Sequence, residues 1–158
     1  LTRIGEALGL SAQARRQALA GSLLLSADNG HAVHPNFPEK ADPANKVYPN
    51  GGVVIKYSAN QKYTTTGLTA GLFQAICQKA GVPVQVFANR ADEPGGSTLG
   101  NLLGHQVSIP MVDIGMAQLA MHSAVETAGS RDPEYMARAC AAFFQAEFTQ
   151  TADGVYQF

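Results

Sequence analysis

The sequence predicts an α/β fold: a mixed, largely parallel sheet flanked by helices. Three observations carry this expectation. Apolar runs at 22–26, 53–57, 84–87 and 108–114 have the length of strands and are too brief for helices. Between them lie segments whose apolar residues recur at helical spacing, and that alternation builds sheets covered by helices. Clusters of Gly, Pro and Asn punctuate the transitions. At 158 residues, 46% of them apolar and 15% charged, the chain suffices for one domain with a sizeable core.

The elements follow in order. Residues 1–20 read as two helical pieces broken at Gly9, with Ser11 capping Ala12–Ala20 and Gly21 closing it. A strand over 22–26 leads into a polar cluster. Residues 35–52 carry four prolines, with Asn50-Gly51-Gly52 at the end, and form a long irregular loop of the kind compact domains keep for function. The strand Val53–Tyr57 follows. Thr64, Thr65 and Thr66 offer N-caps for a helix to Ala80, with Leu68, Leu72, Phe73 and Ile76 on its apolar stripe and Gly81 as its stop. After the strand 84–87, a Pro94-Gly95-Gly96 turn leads to Ser97, the expected cap of a short helix towards His105. The strand 108–114 ends at Gly115, and 116–123 read as a connecting loop. Asp132-Pro133-Glu134 starts a last helix, with Pro at its first position and a core face of Tyr135, Met136, Ala139, Cys140, Phe143 and Phe144.

Composition narrows the function classes. The formal net charge is −1 and no basic run occurs, so nothing favours nucleic acid or an anionic membrane surface. No stretch approaches the roughly 20 apolar residues of a membrane span, and no signal-peptide pattern opens the chain. Cys77 and Cys140, far apart in sequence, read as small buried hydrophobes in a reducing compartment, so a cytoplasmic protein is expected. A first residue Leu1 rather than Met suggests a segment of a longer polypeptide.

The chemistry concentrates in Ser26-Ala27-Asp28-Asn29-Gly30-His31-Ala32-Val33-His34-Pro35-Asn36. Asp28, His31, His34 and the distant His122 each lie just beyond an expected strand or within the loop after it. Oxygen and imidazole donors at strand ends suit a zinc hydrolase, although a catalytic zinc takes three protein ligands and the same residues also describe an ordinary polar loop. Two other readings are weaker. Ser26, His34 and Asp92 assemble a hydrolase triad on paper, but no Gly-x-Ser-x-Gly elbow is present. The Gly95–Gly100 run has a phosphate-loop look, yet Asn101 and Leu102 stand where Lys and Ser or Thr are needed.

The cluster at 26–36, together with Val54-Ile55-Lys56, Asn60-Gln61-Lys62-Tyr63 and Gln118-Leu119-Ala120-Met121-His122-Ser123, resembles the aspartyl aminopeptidases, the M18 family of zinc exopeptidases. The resemblance runs from about Asp28 to Phe144. It implies a phosphorylase/hydrolase-like catalytic domain, of which residues 1–158 would be the C-terminal segment. It also implies a metal-activated water that releases N-terminal residues, preferably Asp or Glu, from peptides. Two zinc ions would serve each site, though such ligands also accept cobalt or manganese.

By the same resemblance Asp28 would hold one zinc and His122 the other. His34 would contact substrate and help order a subunit interface, with His31 beside it. Lys56 would face the pocket for the first side chain, where an ammonium pairs with a carboxylate; a solvated strand lysine is its bland alternative. Gly96 would lie in a backbone segment near substrate, while Arg90 and Asp92 would give structural support. The family's adjacent Glu pair is missing: the six Glu of this chain are never neighbours. The general base is therefore expected upstream and the segment alone is expected to be inactive. Partners would be peptides with a free N-terminus and further copies in a homo-oligomer. A noncatalytic assembly or regulatory homologue and a metal-independent hydrolase are the other classes.

Overall fold

The computed structural model describes residues 1–157. The chain opens with helices α1 (Thr2–Ala7) and α2 (Ala12–Ala20), the latter capped by Ser11, whose hydroxyl accepts from the Ala14 N–H. Strand β1 (Leu24–Ala27) starts two residues later than the strand expected over 22–26. Ser22 belongs to the helix end instead: its N–H donates to Leu19 and its hydroxyl to Ala18. A two-residue strand β2 (Gly30–His31) follows, then the long loop with a 3-10 turn at Pro38–Lys40, and β3 (Val53–Tyr57). Next come α3 (Gly67–Lys79), β4 (Val84–Ala88), α4 (Leu99–Gly104) and β5 (Met111–Gly115). The chain closes with β6 (Ala117–Leu119), β7 (Thr127–Ala128), α5 (Asp132–Gln145) and a hairpin of β8 (Thr149–Ala152) and β9 (Val155–Gln157).

The main sheet runs β1-β5-β3-β4. β1 and β5 are parallel, β3 and β4 are parallel, and the two pairs meet antiparallel at β5 and β3. The expected mixed α/β architecture is therefore what forms. β3 is buried on both faces, and its alternation divides the molecule. Val53 and Ile55 pack with Ala70, Phe73, Cys77, Ala139, Val112 and Ile114 in a core between sheet and helices. Val54 joins Ala32, Val47, Tyr63, Phe87 and Ala117 in a second core on the opposite face. That second face carries the site.

Several expectations are corrected. Segment 116–123 is not only a connection: β6 within it pairs with β2 in parallel and with β7 antiparallel. Strands of two or three residues are too short to show a period. The strand expected over 108–114 begins at Met111, because Pro110 has no N–H for the ladder, and it includes Gly115, paired with Val54. Thr98 rather than Ser97 is the N-cap of α4; the Ser97 hydroxyl accepts instead from the Asn101 amide. In α5 the cap is Arg131 and Pro133 is the second helical residue. Leu68 is half-exposed and Phe144 is 82% exposed, so neither belongs to the core.

The loop over 35–52 is pinned along its length. Gln85 bonds both the N–H and the carbonyl of Tyr48, Lys40 pairs with Glu93 at 3.0 Å, and Arg90 donates to the Glu39 carbonyl. Asn50, at φ 65°, donates its N–H to the buried Asp132 carboxylate and accepts the Arg131 N–H on its own amide oxygen.

Candidate functional site

The site is built where β1 and β5 end side by side. The Asp28 N–H donates to the Ile114 carbonyl at 2.9 Å, and the Gly30 N–H to that of Met116 at 2.9 Å, so residues 28–30 track β5 and its continuation. Gly115 makes this possible, since a side chain there would collide with the Asp28 carbonyl. Asn29 braces both strands: its amide oxygen accepts the Met116 N–H and its amide nitrogen donates to the Gln118 side chain at 2.8 Å. The β2–β6 pairing then carries His31 beside Gln118.

His122 arrives from the other side on a turn after β6. Ala120 and His122 both have left-handed backbones, φ 55° and 67°, a conformation costly for non-glycine residues and concentrated at functional sites. The Glu126 carboxylate stabilises this turn by accepting the His122 N–H at 2.6 Å. That N–H, with the Gln118 amide, holds the Glu126 carboxyl below its ordinary range. Asp28, His31, His34, Gly96 and His122 all line one cavity of about 420 Å³, into which Tyr63 and Phe87 bring apolar surface. Asp28, His31 and His34 come from one stretch of the chain, Gly96 and His122 from distant ones, and the fold brings all five to this cavity.

Lys56 is placed differently from its expectation. Its position on β3 shares the parity of Val54, so it points to the site face, yet its side chain is only 1% exposed and does not line the cavity. The ammonium lies beneath it, 3.4 Å from Asp28 Oδ2, 3.5 Å from the Asn29 carbonyl and 5.1 Å from the Tyr63 ring centroid. Burial pushes the Lys56 pKa down, and the charges of Asp28 and Asp113 oppose that shift. The solvated-lysine alternative does not hold. Asp113, which has no role in the sequence reading, is fully buried on β5 beside Ile114; its Oδ2 accepts the Thr64 N–H and hydroxyl at 2.6 and 2.8 Å. A lone carboxylate inside the apolar run Met111–Gly115 was the signal for it. Asn29 and Glu126 were also missed, because their roles are contacts between strands and across a turn.

The paper triad is not assembled. Ser26 is buried and its hydroxyl accepts the Gly100 N–H, Asp92 is ion-paired with Arg90, and His34 Nδ1 is engaged by the Asn36 N–H. Gly95–Gly100 forms a turn into the six-residue α4, with Gly95 held by Lys62 through its carbonyl at 2.7 Å.

The chain has relatives among known proteins. Residues 1–144 match the family of aminopeptidase I zinc metalloproteases (M18). The chain belongs to the M18 family. It is 44% identical over 150 residues to the probable M18 family aminopeptidase 2 of Mycobacterium tuberculosis, covering 95% of this chain and 35% of that protein. The Streptomyces coelicolor protein of the same name is 43% identical over 139 residues, 88% of this chain and 32% of its own length. In structure the chain resembles Ape4 in its cryo-EM complex with Nbr1, with TM-score 0.85 and 39% identity over 88% of this chain and 26% of that one. Yeast aminopeptidase 1 follows the same fold with TM-score 0.75 and 28% identity, over 90% of this chain and 32% of its own. The chain thus spans about a third of the length of the curated M18 relatives it matches.

The M18 family is described as one of zinc metalloproteases, and carboxylate and imidazole groups of the kind zinc accepts, Asp28, His31, His34 and His122 among them, line this cavity. Among the described residues no three His, Cys, Asp or Glu side chains gather to hold an ion.

Proposed function

We propose that this chain is the part of an M18 metalloaminopeptidase that supplies Asp28 to one zinc and His122 to a second, and that its protein releases N-terminal residues, Asp and Glu preferentially, from peptides. What supports this reading is the convergence of Asp28, His31, His34 and His122 on one cavity, next to a turn strained at His122. A zinc bound there supplies Lewis-acid polarisation and a water of lowered pKa; cobalt or manganese would fit the same donors. The chain's own residues orient and select. Asp28 is fixed between its backbone bond to Ile114 and the Lys56 ammonium, and Glu126 fixes the His122 backbone. Gly96 gives the cavity wall a stretch without a side chain.

Lys56 is our candidate for reading an acidic first side chain from below the cavity floor. Its ammonium is desolvated and its hydrogen-bond contacts, at 3.4 and 3.5 Å, are long for charge-assisted bonds, so a substrate carboxylate would be a better hydrogen-bond partner than those it has. The general base belongs to the remainder of an M18-length polypeptide. We place the protein in the cytoplasm as a homo-oligomer: both cysteines are free thiols, no described helix is long and apolar enough to cross a membrane, and S. cerevisiae mApe1, a structural neighbour, is a dodecamer. A second reading, a noncatalytic assembly homologue, is favoured by the incomplete donor set.

The test uses a full-length M18 polypeptide containing these residues, with matched peptides beginning with Asp or Leu, with and without chelator. Chelator-sensitive release favouring Asp is expected. Lys56→Ala should lower kcat/KM on all peptides by loosening Asp28, and on Asp and Glu peptides by about 30-fold or more beyond its effect on Leu and Ala peptides, the worth of a desolvated charge pair. Equal losses would remove Lys56 from specificity. No release from metal-loaded protein would favour the noncatalytic reading.

A further inference from the structure

The turn His34-Pro35-Asn36-Phe37 fastens its own first side chain. Pro35 sits at the second position, where its fixed φ favours turns, and the Phe37 N–H closes the turn on the His34 carbonyl at 3.1 Å. Within it the Asn36 N–H donates to His34 Nδ1 at 3.2 Å. The Phe37 ring lies against the imidazole, centroids 5.2 Å apart and planes tilted by 40°. A backbone N–H is always a donor, so the nitrogen facing it must present a lone pair. A neutral imidazole carries one proton, which therefore resides on the other nitrogen. Nε2 has no hydrogen-bond partner among the described residues, and His34 lines the same cavity as Asp28 and His122.

We propose that this turn fixes His34 as the Nε2–H tautomer, making it a neutral hydrogen-bond donor to a peptide carbonyl oxygen and withholding both of its nitrogens from metal. Nδ1 is occupied by Asn36 and Nε2 by its own proton. The three cavity histidines therefore divide: His122 is available as a ligand, whereas His34 stabilises negative charge developing on the carbonyl oxygen of a peptide under attack. This role rests on the aminopeptidase reading; the tautomer does not.

Histidine-selective nitrogen NMR on a full-length M18 polypeptide containing these residues, at neutral pH, is the first experiment. A protonated Nε2 and an unprotonated Nδ1 are expected at His34, unchanged on adding zinc. A protonated Nδ1, an averaged pair of nitrogens, or a His34 shift on adding zinc overturns the proposal. The second experiment compares His34→Gln, whose amide nitrogen replaces Nε2–H, with His34→Asn, whose shorter amide replaces Nδ1, in the full-length polypeptide. His34→Asn should lose about 100-fold in kcat, the effect of removing one oxyanion donor, while His34→Gln stays within about tenfold of the parent at similar KM. Equal losses, or losses confined to KM, overturn the donor role. A parent that releases nothing overturns the aminopeptidase reading and the donor role with it, while the NMR result still decides the tautomer.

Discussion

At the scale of single residues, burial sets chemistry that residue type alone would not. Cys77 is fully buried between α3 and the sheet, and burial, helped by Cys140, pushes its thiol up to about 12 from an ordinary 9.0. Folding thus favours the protonated thiol. The sign follows from linkage: stability is intact below pH 9.0 and is lost as pH rises from there towards about 12, because the unfolded chain releases the proton first. Tyr63, also raised by burial, reinforces the loss above its ordinary 10.0. Urea midpoints measured across this range should fall, and Cys77→Ala should flatten the fall. Thiol alkylation at neutral pH should label the partly exposed Cys140 well before Cys77.

At the scale of elements, two local devices hold the frame under the site. Thr66 and Thr69 form a reciprocal capping box at the start of α3, each side chain accepting the other residue's N–H. Thr66→Ala should destabilise the chain by about 1 kcal/mol in chemical denaturation. Gly115 is a tighter constraint, because a methyl there would enter the Asp28 carbonyl and Asn29 backbone rather than a flexible side chain. Gly115→Ala should cost about 1–3 kcal/mol through overpacking. It should also displace Asp28, so it should weaken zinc binding by the full-length protein more than Thr66→Ala does. Matched zinc titrations of the two variants would check this; equal effects would sink the positioning role of Gly115.

At the scale of the whole molecule, what matters is which donors the chain carries and which it lacks. Two candidate ligands at one cavity, with no third gathered among the described residues, predict weak zinc binding by the 158-residue chain and no peptidase turnover. Calorimetric zinc titration of this chain and of a full-length M18 polypeptide should show much tighter binding by the latter. Chelator-sensitive aminopeptidase activity in the 158-residue chain would falsify the prediction. The outer edge of β1 has no strand partner among the described residues, and Leu99 and Leu102 are 80% and 64% exposed.

The sequence by itself determined the α/β architecture, most of its elements and the residues around the cavity. Those signals are local: apolar periodicity, caps such as Ser11 and Thr66, and the motif from Ser26 to Asn36. The tertiary structure decided what depends on partners distant in the chain. It put the Lys56 ammonium beneath the cavity rather than in it, because β3 is buried on both faces. It made β2 and β6 strands, although neither is long enough to show a period. It gave Gly115 to the Asp28 carbonyl, Asp113 to the Thr64 turn and Glu126 to a left-handed His122. Periodicity reports which face of an element is buried; only the packed chain reports what lies opposite that face.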